Sequence, residues 1–221
     1  MPRPSVRPLL ALVLSAIVSC PSSLAFDAHL SDTAVRDAYF IGQRRDESMA
    51  RYLDHYTKQL PPPKTGPYIA SIRFLTPFAQ LVLESSRRTG YSAQQAEDEY
   101  RHTKGDTVVV SIEIVLTASY GPFTTEPTSS HSGSPLGYRV RPLNFWKDFR
   151  VLVLDKDRAL EPTHFTGDWC CLAARDGSTL SGATLYLDFP SKDFPSDSVT
   201  IEVDPPEGDP VSVNFDLSSL R

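Results

Sequence analysis

Histidine and cysteine are sparse in this chain of 221 residues, five and three respectively, and neither type falls at metal-binding spacing. His29, His55, His102, His131 and His164 form no H-x-x-x-H or H-E-x-x-H, and no C-x-x-C occurs. The local patterns that build zinc sites are therefore missing. Also missing are the G-x-S-x-G elbow and the glycine-rich loops of Walker or dinucleotide type, so no short segment activates a serine or cradles a phosphate. Ser130 beside His131 carries little, because members of a triad meet through the fold. Glu97 and Glu99 stand two apart on a predicted helix and diverge. No cofactor is expected. A hydrolase assembled from scattered carboxylates remains open.

Positive charge is in short supply in the second half. Residues 26–106 hold 11 basic and 11 acidic side chains, whereas residues 107–221 hold 9 and 16. Acidity on that scale argues against nucleic acid or an anionic lipid surface as partner; a solvated surface explains it. Asp155, Asp157 and Glu161, and the turn over 204–209, place oxygen donors at loop ends. The EF-hand pattern nevertheless fails, because Leu160 stands where its glycine belongs.

Long apolar runs are missing apart from one at the start. Residues 9–18 follow Arg3 and Arg7 and precede Ser23-Leu24-Ala25, the layout of an export signal over 1–25 with cleavage before Phe26. The run is too short to span a bilayer. Ile17-Val18-Ser19-Cys20 also resembles the lipobox of bacterial lipoproteins, which implies a lipid on Cys20 and a membrane anchor at that point. Either way the chain is expected to be exported, periplasmic or secreted in one case and lipid-anchored in the other.

The remaining cysteines, Cys170 and Cys171, are adjacent. A bond between neighbours closes a strained and reducible ring. Two thiols on opposite faces of a strand, or a bond to a second molecule, are the ordinary alternatives, and a redox role is the minor one.

What is abundant is pattern. In 107–120 (TVVVSIEIVLTASY), Val108, Val110, Ile112, Ile114, Leu116, Ala118 and Tyr120 alternate with a more polar set, the mark of a long half-buried strand. Before it, apolar spacing predicts helices over 33–43 and 46–60, together a helical segment over 26–60. A proline-rich spacer follows at 61–67, then a strand at 68–75 (YIASIRFL). A helical pair within 77–104 has clear punctuation: Thr76 with Pro77 opens one helix, and the capping box Ser92-Ala93-Gln94-Gln95 opens the other. After Tyr120, the 24 residues 121–144 are rich in Ser, Thr, Pro and Gly and show no periodicity, and loops of that length are usually functional or mobile. His131, Tyr138, Arg139 and Arg141 make this loop the candidate contact region for an anion or a sugar. Beyond it, 149–154 reads as a central strand and 167–179 as irregular. Three strands over 183–189, 198–203 and 211–217 read as an antiparallel meander.

The fold expected is α+β, with the N-terminal helices packed on or beside an immunoglobulin-like antiparallel β-sandwich of about seven strands over 68–221, into which the pair 77–104 is inserted. The function expected is a non-catalytic module that binds a protein or glycan at the cell envelope. The alternative is an extracellular hydrolase with a dispersed site near 121–144.

Overall fold

A computed structural model describes residues 26–103, 106–126, 137–174 and 177–221. Helix α1 (Asp32–Arg44) begins at Ser31, whose hydroxyl accepts from the Ala34 amide, and α2 (Glu47–Asp54) begins at Asp46, whose carboxylate accepts from the Ser48 and Met49 amides. Such caps satisfy amides that lack an intrahelical acceptor and contribute about 1 kcal/mol each. The helix expected over 46–60 stops early. Residues Thr57–Gln59 form strand β1, which pairs antiparallel with β2 (Tyr68–Leu75). Thr57 turns its hydroxyl back to the Leu53 carbonyl, and pairing with β2 satisfies backbone groups that the approaching prolines could not.

The next two helices follow their punctuation. Thr76 caps α3 (Pro77–Arg87) through the Ala79 amide. Ser92 and Gln95 exchange their two bonds at the start of α4 (Ala93–Thr103), at 2.9 and 3.2 Å. The strands after them are β3 (Thr107–Val115), β4 (Phe123–Glu126), β5 (Gly137–Val140), β6 (Arg150–Asp155), β7 (Arg158–Leu160), β8 (His164–Ala174), β9 (Gly177–Pro190), β10 (Ser198–Asp204) and β11 (Val211–Asp216). No described helix is long and apolar enough to cross a membrane.

Helices and antiparallel sheets together make this an α+β structure. One sheet has the order β1-β2-β3-β9-β8, a second β11-β10-β6-β7, and β4-β5 form a separate ribbon. The strand number and order differ from the expected seven-stranded immunoglobulin-like arrangement. Three local expectations change with them. Residues 167–179 are not irregular: most of them belong to the long β8–β9 hairpin. The last three strands are not one meander, because β9 lies between β3 and β8 while β10 and β11 pair in the other sheet. Pro190 and the 3-10 turn Ser191–Asp193 carry the chain from one sheet to the other. The long strand ends at Val115, five residues before Tyr120, and part of 121–144 forms the β4–β5 ribbon.

One buried cluster draws side chains from both larger sheets. Ile72, Ile112 and Leu185 stand in register across β2, β3 and β9, and Phe74, Val110 and Leu187 form the next row; all six are buried. From the four-stranded sheet come Val153, Val199, Ile201, Val203 and Phe215. Phe74 ties the layers together, with its ring centroid 5.1 Å from that of Phe194 and 5.9 Å from that of Phe215. A second cluster unites α1, α3 and α4 through Val35, Ala38, Phe78, Val82, Ala96 and Tyr100. Beside it, the buried Glu97 carboxylate meets the Arg36 guanidinium, with Arg101 at 3.6 Å.

Close approach makes a glycine necessary at position 182. A Cβ there would stand 2.1 Å from the Ile114 carbonyl oxygen of the paired strand, and backbone, unlike a flexible side chain, has little room to yield. Gly182→Ala is expected to lower stability by about 1–3 kcal/mol, read as an earlier midpoint in urea with unchanged slope. An unchanged midpoint would show that β3 and β9 do not approach as described.

Candidate functional site

Alternation turns the neighbours of the buried row to the other face of the five-stranded sheet, and across its middle those neighbours are polar. Because Ile72, Ile112 and Leu185 point into the core, their neighbours must point away from it. Register then lines those neighbours up in two rows. Thr57, Arg73, Ser111, Tyr186 and Thr166 cross the sheet in one; Gln59, Ser71, Glu113, Thr184 and Asp168 cross in the next. Directly opposed side chains on adjacent strands have Cβ atoms about 5 Å apart, so each row is a continuous strip of hydroxyl, amide and charged groups.

The middle of this face is concave. Helix α3 overhangs it with Leu83 and Arg87, closing a cleft of about 260 Å³ with Arg73, Ser111, Glu113 and Tyr186 among its walls. The side chains of Arg73 and Arg87 form no ion pair or hydrogen bond with any described residue. Several arginines of the helical layer are paired instead: Arg36 with Glu97, Arg88 with Glu84 and Glu99, and Arg101 with Asp32. Glu113, the one carboxylate among the described residues lining the cleft, accepts a 2.9 Å bond from the buried Ser71 hydroxyl. Two uncommitted guanidiniums face one carboxylate that is already partly satisfied. A planar guanidinium fork matches the two oxygens of a carboxylate or phosphate, so the cleft is arranged to receive an anion, with the Ser111 and Tyr186 hydroxyls to orient it.

The residues singled out in the 121–144 loop are not brought together. Arg141 is buried and committed: its guanidinium carbon lies 3.5 Å from the centre of the Tyr120 ring, and its Nε donates to the Gly121 carbonyl at 2.8 Å. It braces the strand exit. Burial raises the Tyr120 phenol above the ordinary tyrosine value, with the nearby Arg141 charge opposing the shift. Arg139 stands exposed on β5, two residues before Arg141 in the chain. Tyr138 is also on β5, but its side chain, like His131 altogether, lies outside the described residues. So does Cys20.

Cys170 and Cys171 are free thiols, and both are exposed on β8, at the open edge of the sheet. The pairing with β9 shifts register between Cys170 and Cys171, so simple alternation, which would turn one thiol inward and one outward, does not hold across them. Asp155 is buried, with Arg158 3.7 Å away. Among the described residues, no three His, Cys, Asp or Glu side chains gather as a metal site.

Arg73, Arg87, Ser111 and Tyr186 were missed in the sequence. One signal was available: Arg73 is the only charge in an otherwise apolar strand, between Ile72 and Phe74. Comparison with known proteins finds no family model, no curated relative and no solved structure that matches the chain.

A cation–ring contact is worth from about 0.5 kcal/mol when exposed to about 2 kcal/mol when desolvated. Arg141→Ala is therefore expected to lower stability by about 1–2 kcal/mol in chemical denaturation, with the loss largely reversed in a variant that keeps the cation, Arg141→Lys. Full stability in Arg141→Ala would remove the bracing role.

Proposed function

We propose that the chain is an exported, non-catalytic binding module, a two-layer β-sandwich scaffold whose outer polar sheet face holds an anionic group of a protein or glycan at the cell envelope. The observation that carries this reading is the cleft under α3, where Arg73 and Arg87 stand uncommitted beside hydroxyl groups. Every strand in that face is held by a neighbour on each side except β1 and β8 at the rims. The site therefore rests on rigid elements, which suits recognition by preorganised donors. The export-signal pattern of the first 25 residues places the module outside the cytoplasm in this reading, free or anchored through Cys20.

The chain's formal charge of −5 opposes adsorption of anions elsewhere on the surface. Binding that depends on two particular arginines is therefore diagnostic. Polyglutamate and polygalacturonate present carboxylates on a peptide and on a glycan, and neutral dextran serves as the control. A hydrogen bond to a charged group is worth about 1.5–3 kcal/mol, so Arg73→Gln and Arg87→Gln are each expected to weaken binding to the carboxylated polymers by about ten- to a hundredfold. Arg73→Lys should recover part of the loss, since it keeps the charge but not the fork. Equal binding to dextran, or undiminished binding by the Arg73→Gln/Arg87→Gln double variant, would overturn the proposal.

A further inference from the structure

The anion cleft does not end at Arg73. A second hollow of about 290 Å³ lies beside it, and the two share Arg73, Leu75 and Leu83 as walls. Past those residues the α2 side of the lining is apolar: Met49, Ala50 and Leu53 line it beside the polar Asp54, Thr57 and Gln59, and Leu75 and Leu83 continue from the shared wall. Met49, Leu53 and Leu83 are only partly buried. Three apolar side chains that retain access to solvent, with the buried Leu75 in the shared wall, thus lead away from two uncommitted guanidiniums along one continuous groove.

Each half of the groove selects differently. The guanidiniums favour a carboxylate, which is planar and takes a fork bidentately. The hollow favours an aliphatic chain, because each methylene withdrawn from water contributes free energy in proportion to its area. Methionine adapts its shape to such a chain more readily than a branched side chain does. Resting on the reading that Arg73 and Arg87 receive an anion, we propose that the ligand class is an amphiphilic carboxylate: an acid group seated between Arg73 and Arg87, with an aliphatic chain passing Leu75 and Leu83 toward Met49 and Leu53. Arg73 lines both hollows, so it is the residue around which head and chain are registered. The polar rows beyond Ser111 and Tyr186 leave room for hydrophilic substituents on the head side.

Calorimetric titration of the whole chain with acetate, butyrate, hexanoate and octanoate, and with octanol as the uncharged control, tests this. Affinity is expected to rise by roughly two- to fourfold per methylene, the range from partial to full burial of a CH₂. Octanol should bind at least tenfold more weakly than octanoate. Arg73→Gln should weaken all four acids by a similar factor. Met49→Gln, close in volume, should flatten the dependence on chain length while leaving acetate unaffected. Acetate and octanoate binding equally well, with loss of both in Arg73→Gln, would overturn the amphiphile assignment and leave the anion site standing. Octanoate binding unchanged in Arg73→Gln, or matched by octanol, would overturn both readings, as would no binding by any acid.

Discussion

Burial of one row of side chains governs the rest of this structure. Ile72, Ile112 and Leu185, with Phe74, Val110 and Leu187 behind them, fill the space between the two larger sheets. Six apolar side chains at about 1.5–3 kcal/mol each make any slip of register prohibitive, since moving a strand by one residue would turn its whole apolar set to solvent. The same constraint fixes the opposite face. Once those residues point inward, Arg73, Ser111 and Tyr186 have no choice but to stand side by side outside. The polar rows are a consequence of the core.

The helices then convert a flat polar face into a groove. Helix α3 is oriented by its cap at Thr76 and by Phe78 and Val82, which it buries against α1. What remains of its surface, Leu83 and Arg87, overhangs the sheet. Helix α2 adds Met49 and Leu53 because it ends early and hands the chain to β1, which borders β2. The buried Glu97 carboxylate, held by Arg36 and approached by Arg101, links α1 to α4 and so supports this layer from behind. Truncating one partner of such a pair leaves the other charge uncompensated, which is why buried pairs resist loss more than their net contribution suggests.

Much of the local structure was legible in the chain. The alternation of 107–115, the strand at Tyr68–Leu75, and the caps at Thr76 and Ser92 all lie where simple periodicity and capping chemistry put them. What escaped was non-local. Strand β8 contains Gly167, Asp168 and two adjacent cysteines, with no apolar alternation, because it lies at an edge. Gly167 is there because the Trp146 ring lies where a side chain would go, with ring carbons 2.5 Å from an ideal Cβ. No window of sequence around residue 167 contains that reason. Sheet membership of β9 and β10 was hidden likewise, since both alternate and only the turn after Pro190 separates them. The candidate site was illegible for the same cause: Arg73, Ser111 and Tyr186 are scattered over more than a hundred residues and meet only through register.

The 121–144 stretch drew attention by its composition, and Arg141 shows why composition misleads. A cation beside an aromatic residue reads the same in sequence whether it waits for a ligand or holds its own strand exit together. Packing decides it: Arg141 lies over the Tyr120 ring with its Nε bonded to backbone, whereas Arg73 has the cleft in front of it. The most direct test of that contrast is NMR of the arginine Nε–Hε groups during titration with a simple carboxylate. The account predicts saturable shifts at Arg73 and Arg87 with a common midpoint, and a still signal at Arg141. Saturable shifts at Arg141 with Arg73 and Arg87 unmoved would contradict it.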